Sequence, residues 1–136
     1  MTIGRRDFTK LSGAAIFATL APGCTSAPEQ SKEGGKMYGL IGKMTCVSGQ
    51  RESFIAILLE STEAMPGCLS YVIARDPKDA DAIWITEVWD SKESHAASLQ
   101  LPAVRDAIKR GRPMIAGFGE QTITEPVGGF GLAKTR

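Results

Sequence analysis

The run LSYVIARDPKDADAIWITEVW, Leu69 to Trp89, limits the fold more than any other stretch. It holds two segments rich in β-branched and aromatic residues, Leu69–Arg75 and Ala82–Trp89, separated by a turn rich in Pro and Asp. That pattern predicts an antiparallel hairpin. In its second arm both alternating sets are apolar, Ile83/Ile85/Trp89 on one side and Trp84/Val88 on the other. A strand with one wet face would show a polar set, so both faces of the sheet are expected to be covered, the second by another copy of the chain.

The flanks supply the other elements. Met37–Val47 reads as a first strand despite two glycines. Ser48 is placed to cap a helix carrying Phe54, Ile57, Leu58, Ser61 and Met65 at helical spacing, which Pro66 and Gly67 stop. After the hairpin, Asp90 or Ser91 caps a short helix to Gln100, with Glu93 completing a capping-box pattern after Asp90. Pro102 opens another helix, which Gly111 closes, and PMIAGFGEQTITEP is a last strand. The order β-α-β-β-α-β specifies an α+β, ferredoxin-like sandwich with an antiparallel sheet. In that topology Cys46 ends the first strand and Cys68 starts the second, which runs parallel to it. The two therefore lie at opposite ends of the sheet, and both are read as small buried residues without a mutual disulfide.

Residues 1–23 read as an export leader. Arg5 and Arg6 precede Phe8 and Lys10, followed by an apolar run, Leu11–Ala21, too short for a stable span. GRRDFTK resembles the twin-arginine (Tat) signal, with Thr9 departing from it. Gly23 before Cys24 resembles a lipoprotein cleavage site, so lipidation of Cys24 and attachment to the membrane are expected; ordinary cleavage with an incidental cysteine is the alternative. Residues 24–36, rich in Ser, Pro, Gly and charge, read as a flexible tether. The folded domain is expected over 37–126, and 127–136 is a Gly-rich tail. The formal net charge of +1 is not gathered on any one face, which speaks against a nucleic-acid partner.

With this order and the segment WITEVWDSKESHAASLQLPAVRDAIKRGRPMIAGF in view, the chain resembles the antibiotic biosynthesis monooxygenase (ABM) family, and within it the quinol monooxygenase type. The markers are Glu87-x-Trp89 at the end of the third strand, the acidic, Ser-rich helix start and the LQLP step. The resemblance implies a dimeric α+β barrel that oxygenates a small aromatic substrate, a quinol or electron-rich phenol, with O2 and with no metal or flavin. In keeping with this, no cofactor motif is visible, and one His with no clustered carboxylates or cysteines makes a dedicated metal site unexpected. Many relatives carry a histidine nine residues after the tryptophan, where this chain has Ser98. Haem-degrading relatives use an Asn, a Trp and a His, and this chain has no asparagine.

Oxygenation of a quinol needs a base for the phenolic proton, donors for the oxyanion and a dry aromatic pocket. An imidazole, with an ordinary pKa near ~6.5, suits the first task. His95 is the only histidine. It shares a helical stripe with Ser98 and Leu99, which aims it beneath the helix toward Glu87 and Trp89. His95 is therefore the candidate base, with Tyr71, Trp84, Trp89 and Ser98 as candidate substrate-binding residues. Arg75, on the same face of its strand as Tyr71, is a further candidate oxyanion donor. The opposing readings are a half-buried helix histidine and two core or dimer-contact tryptophans. A non-enzymatic dimer that holds a small hydrophobic molecule in the same cavity is the alternative function.

Overall fold

The computed structural model describes residues 35–133; the leader, Cys24 and nearly all of the tether lie outside them. The strands are β1 Tyr38–Cys46, β2 Cys68–Arg75, β3 Ala82–Trp89 and β4 Ile115–Thr124. The helices are α1 Arg51–Glu60, α2 Lys92–Ser98 and α3 Pro102–Gly111, followed by a 3-10 turn at Arg112–Met114. The four strands form one antiparallel sheet in the order β2-β3-β1-β4, so the ferredoxin-like α+β sandwich is the observed fold.

The hairpin turn is closed by two aspartates. Asp76 Oδ1 accepts from Lys78 N at 2.8 Å, and Asp79 Oδ1 accepts from Asp81 N at 3.0 Å. Such side-chain mimicry of a backbone turn is why Asp clusters mark turns. Pairing of Tyr71 with Glu87 and of Leu40 with Glu87 then sets the register across β2, β3 and β1. Ile83, Ile85, Glu87 and Trp89 fall on the face toward the helices and are all buried. Phe54 of α1 joins Cys46, Ile83 and Ile85 in the core. Gly111 admits that phenyl ring, since a Cβ there would stand 2.6 Å from Phe54 Cε2.

The outer face is more polar than the strand pattern suggests. Trp84 lies there among Lys43, Thr86 and Thr122, with Ile41 and Val72 exposed beside it. Trp84 Nε1 donates to Asp76 Oδ2 at 3.0 Å, Lys43 Nζ stands 5.6 Å from its ring centre, and Lys43 pairs with Asp76 at 2.7 Å. That pair and the two donors hold the Asp76 carboxyl far below the usual carboxylate range.

Several local readings need correction. Gln50, not Ser48, stands at the N-cap of α1 and gives no side-chain cap bond. The helix ends at Glu60, where the Leu58 and Leu59 carbonyls accept from the backbone N–H groups of Ser61 and Thr62 at 3.1 and 3.3 Å, and each accepts a second bond at 2.8 Å from the hydroxyl of the same residue. Helix α2 ends at Ser98, short of Gln100. Its cap is Ser91, whose Oγ accepts from Ser94 N at 3.1 Å, and Glu93 forms no capping box. Cys46 is buried but Cys68 only half-buried; both are free thiols. Beyond β4 the tail returns to the far edge of the sheet, where Ala133 N donates to Leu69 O at 2.9 Å.

Candidate active site

The site begins with a charged residue in an apolar series. Glu87 follows Ile83 and Ile85 on the inner face of β3 and is 9% exposed. A carboxyl so placed must be hydrogen-bonded or protonated. Trp89, two residues on and so on the same face, donates Nε1–H to Glu87 Oε2 at 2.8 Å. Burial pushes the Glu87 carboxyl above its ordinary value; the Trp89 donor and the nearby His95 imidazole oppose that shift.

Two local devices bring His95 to this carboxyl. Gly67 has a positive φ of 83°, and a Cβ on it would meet Ser94 at 2.5 Å and Asp90 Oδ1 at 2.8 Å. The start of α2 can therefore lie directly against the chain entering β2, where Asp90 N donates to Gly67 O at 2.9 Å. The Ser91 cap then fixes the first turn, and His95 N donates to Ser91 O at 3.3 Å. The imidazole comes to rest with Nε2 3.7 Å from Glu87 Oε2, within ion-pair reach but longer than a hydrogen bond. Its ring centre is 5.5 Å from Trp89 in an edge-on arrangement and 5.2 Å from Tyr38, tilted by 39°. The box of Tyr38, Trp89 and Glu87 restricts the imidazole from three sides.

Glu87, Trp89 and His95 form the floor of a cavity of about 670 Å³ between the sheet and the helices, the size and apolar character of a small-molecule site. Met44, Phe54, Leu58 and Ile85 supply its apolar wall. Phe118, Leu99 and Ile108 line it as well and are exposed, so they form its rim.

Of the residues singled out from the sequence, His95, Tyr71, Trp89 and Ser98 all line this cavity. Tyr71 is half-buried, and burial followed by the Glu87 charge pushes its phenol well above the ordinary value, so at neutral pH it is a donor. Ser98 is buried, but its Oγ donates to His95 O at 2.7 Å. Its proton is committed to the helix, so Ser98 can offer a ligand only lone pairs. Trp84 does not line the cavity: its position in β3 puts it on the opposite face. Arg75 is held by exposed Glu52 at 2.6 Å. Cys24 lies outside the described residues. Glu87 was legible only as a family marker and as a neighbour of Trp89; a lone acid in an inward-facing apolar set was the available signal of more. Tyr38 gave no such signal, since only the pairing of Tyr38 with Trp89 brings it to the imidazole.

A family model described as antibiotic biosynthesis monooxygenase matches residues 37–110. Among solved structures, a "putative antibiotic biosynthesis monooxygenase" from Chloroflexus aurantiacus J-10-fl is 66% identical, with a TM-score of 0.70 over 71% of this chain and 99% of that one. A protein of the same description from Nitrosomonas europaea is 17% identical, with a TM-score of 0.63 over 68% of this chain and 92% of its own. One from Caulobacter crescentus CB15 is also 17% identical, at 0.63 over 70% and 93%. The last two likenesses concern the fold alone. No curated protein matches the chain.

Proposed function

Since the chain belongs to the antibiotic biosynthesis monooxygenase family, we propose that it oxygenates a quinol or similar electron-rich phenol with O2 and without metal or flavin. The observation that carries this reading is the Glu87–His95 pair in the floor of an apolar cavity. His95 takes the phenolic proton, and the Glu87 carboxylate stabilises the imidazolium that forms, as a carboxylate behind a catalytic histidine does elsewhere. Trp89 fixes Glu87 and so acts on His95 at one remove; both are positioning residues. Tyr71 donates to the phenolate oxygen. The phenolate passes an electron to O2, the radical pair recombines at a ring carbon as a hydroperoxide, and loss of water leaves a hydroxylated quinone. One oxygen atom ends in the product and the other in water, and the quinol supplies all four electrons. The apolar wall keeps bulk water from the radicals.

We place the protein outside the cytoplasm, exported by the twin-arginine route and tethered through a lipidated Cys24. Two copies pack through their outer sheet faces, which would cover Ile41 and Val72.

The test is oxygen uptake by the purified protein with a panel of hydroquinones under ¹⁸O₂. Incorporation of one labelled atom into the quinone product, at a rate above the uncatalysed one, is expected. Binding of the same quinols with no uptake would instead establish the non-catalytic module.

A further inference from the structure

The cavity is electrically lopsided, and its polarity bears on which aromatic it accepts. Its titratable floor consists of Glu87, His95 and Tyr71, and Glu87 is an acid. Arg112 is the one cationic Lys or Arg among the lining residues, and it is exposed. It stands just past α3, in the 3-10 turn that leads into β4, and so belongs with the exposed rim formed by Phe118, Leu99 and Ile108. Resting on the proposed oxygenase reading, we infer that the substrate is an aromatic bearing a carboxylate, which Arg112 holds at the rim while the phenolic end reaches His95.

The neighbouring charges support the assignment. Arg110, two residues earlier, is engaged by Asp106 at 2.7 Å and Glu60 at 2.8 Å, and so has its counter-charges. Arg112 makes no ion pair with any of the described residues. A cation after a helix C-terminus is favoured by the helix dipole alone, and that accounts equally for Lys109 and Arg110. It does not by itself account for a cation that lines the cavity and has no ion-pair partner among the described residues. An arginine is also the side chain best shaped to grip a carboxylate through two N–H donors. The floor sets the direction of binding: an anionic substituent pointing inward would meet the buried Glu87 carboxyl, whereas one pointing outward meets Arg112. A cavity of about 670 Å³ leaves room for a fused-ring aromatic between the two ends.

The test uses two unreactive probes of nearly equal shape, 2-naphthoate and 2-naphthamide, titrated calorimetrically into the full chain. Wild type should bind the acid about three- to ten-fold more tightly than the amide, the scale of one partly solvated charge-assisted contact. The preference should shrink in 0.5 M salt. Arg112→Gln should remove it without weakening the amide, and Arg112→Lys should retain part of it. Equal binding of both probes by wild type, or an undiminished preference in Arg112→Gln, overturns the inference while leaving the cavity's role in oxygenation intact. Failure of both probes to bind wild type overturns the inference and the proposed aromatic site together. In oxygen uptake, Arg112→Gln should raise KM for a carboxylated hydroquinone by more than it changes KM for an uncharged one.

Discussion

Replacing Trp89 with Phe separates the two tasks of this side chain, filling the core and holding Glu87. The indole N–H is the donor at 2.8 Å to a carboxyl that is 9% exposed. Deleting it strands a buried acceptor, and a hydrogen bond to a charged group is worth about 1.5–3 kcal/mol. The smaller ring forfeits roughly 1 kcal/mol more in lost burial and packing. The sum, about 2.5–4 kcal/mol, is a large share of the ~5–15 kcal/mol that holds a typical domain. Urea unfolding followed at several pH values measures it.

The pH dependence identifies the cause. Burial raises the Glu87 carboxyl above its unfolded value, so the folded state holds the proton longer than the unfolded one. Stability is then fully present below the unfolded pKa and falls as pH rises through the folded value. Without the Trp89 donor the carboxylate is less favoured still, and the folded value moves higher. The penalty of Trp89→Phe should therefore grow as pH rises above the ordinary carboxylate range and shrink toward the packing loss alone in acid. Repeating the series in a His95→Gln background takes the imidazole away from Glu87. In a Glu87→Gln background, where the amide oxygen is a weaker acceptor, the substitution should cost about 1–2 kcal/mol less. A penalty below about 1 kcal/mol, or one that does not change with pH, would refute the reasoning.

His95→Ala and His95→Gln should each lower quinol oxidation by ~10²-fold or more, the scale of a lost general base, with the fold intact by circular dichroism; rates within a few-fold of wild type would remove His95 from the mechanism. Gly111→Ala gains about 1 kcal/mol of helix propensity but drives a methyl into Phe54, where overpacking costs about 1–3 kcal/mol. A net loss of roughly 1 kcal/mol is expected in thermal unfolding, with partial recovery when Phe54→Leu is added. Arg5→Lys combined with Arg6→Lys should leave the protein in the cytoplasm, as cell fractionation would show, and unchanged export would defeat the leader assignment. Sedimentation of the purified protein should give a dimer at micromolar concentration; a monomer would reject the packing of outer sheet faces.

What the sequence reveals and what it conceals divide along the range of the interactions. Short-range rules locate the hairpin turn from its aspartates, which accept from backbone N–H groups two positions on, and the start of α3 from Pro102, whose fixed φ and missing N–H suit a first helical position. They also place Glu87 and Trp89 on one side of β3. Where two local partners compete, the pattern is ambiguous: Ser48 and Gln50 both precede α1, and Asp90 and Ser91 both precede α2. The hydroxyl of Ser98, a candidate substrate-binding residue, turns back to the carbonyl of its own helix, an option open to any helical serine.

The site itself depends on register, which no spacing rule supplies. Tyr38 flanks His95 only because β1 pairs with β3 at Tyr38–Trp89. A slip of one residue would send Tyr38 to the outer face and bring another side chain inward. The same pleat explains the two tryptophans. Trp84 and Trp89 differ by five positions, an odd number, and so must face opposite ways. Trp84 finds its polar partner in Asp76 at the turn, and Trp89 finds its own in Glu87 beneath α2. Each indole N–H is satisfied by a carboxyl, but only Glu87 stands beside an imidazole in the lining of a cavity. The chemistry of the site therefore rests less on having a histidine than on where the third strand turns its one buried glutamate.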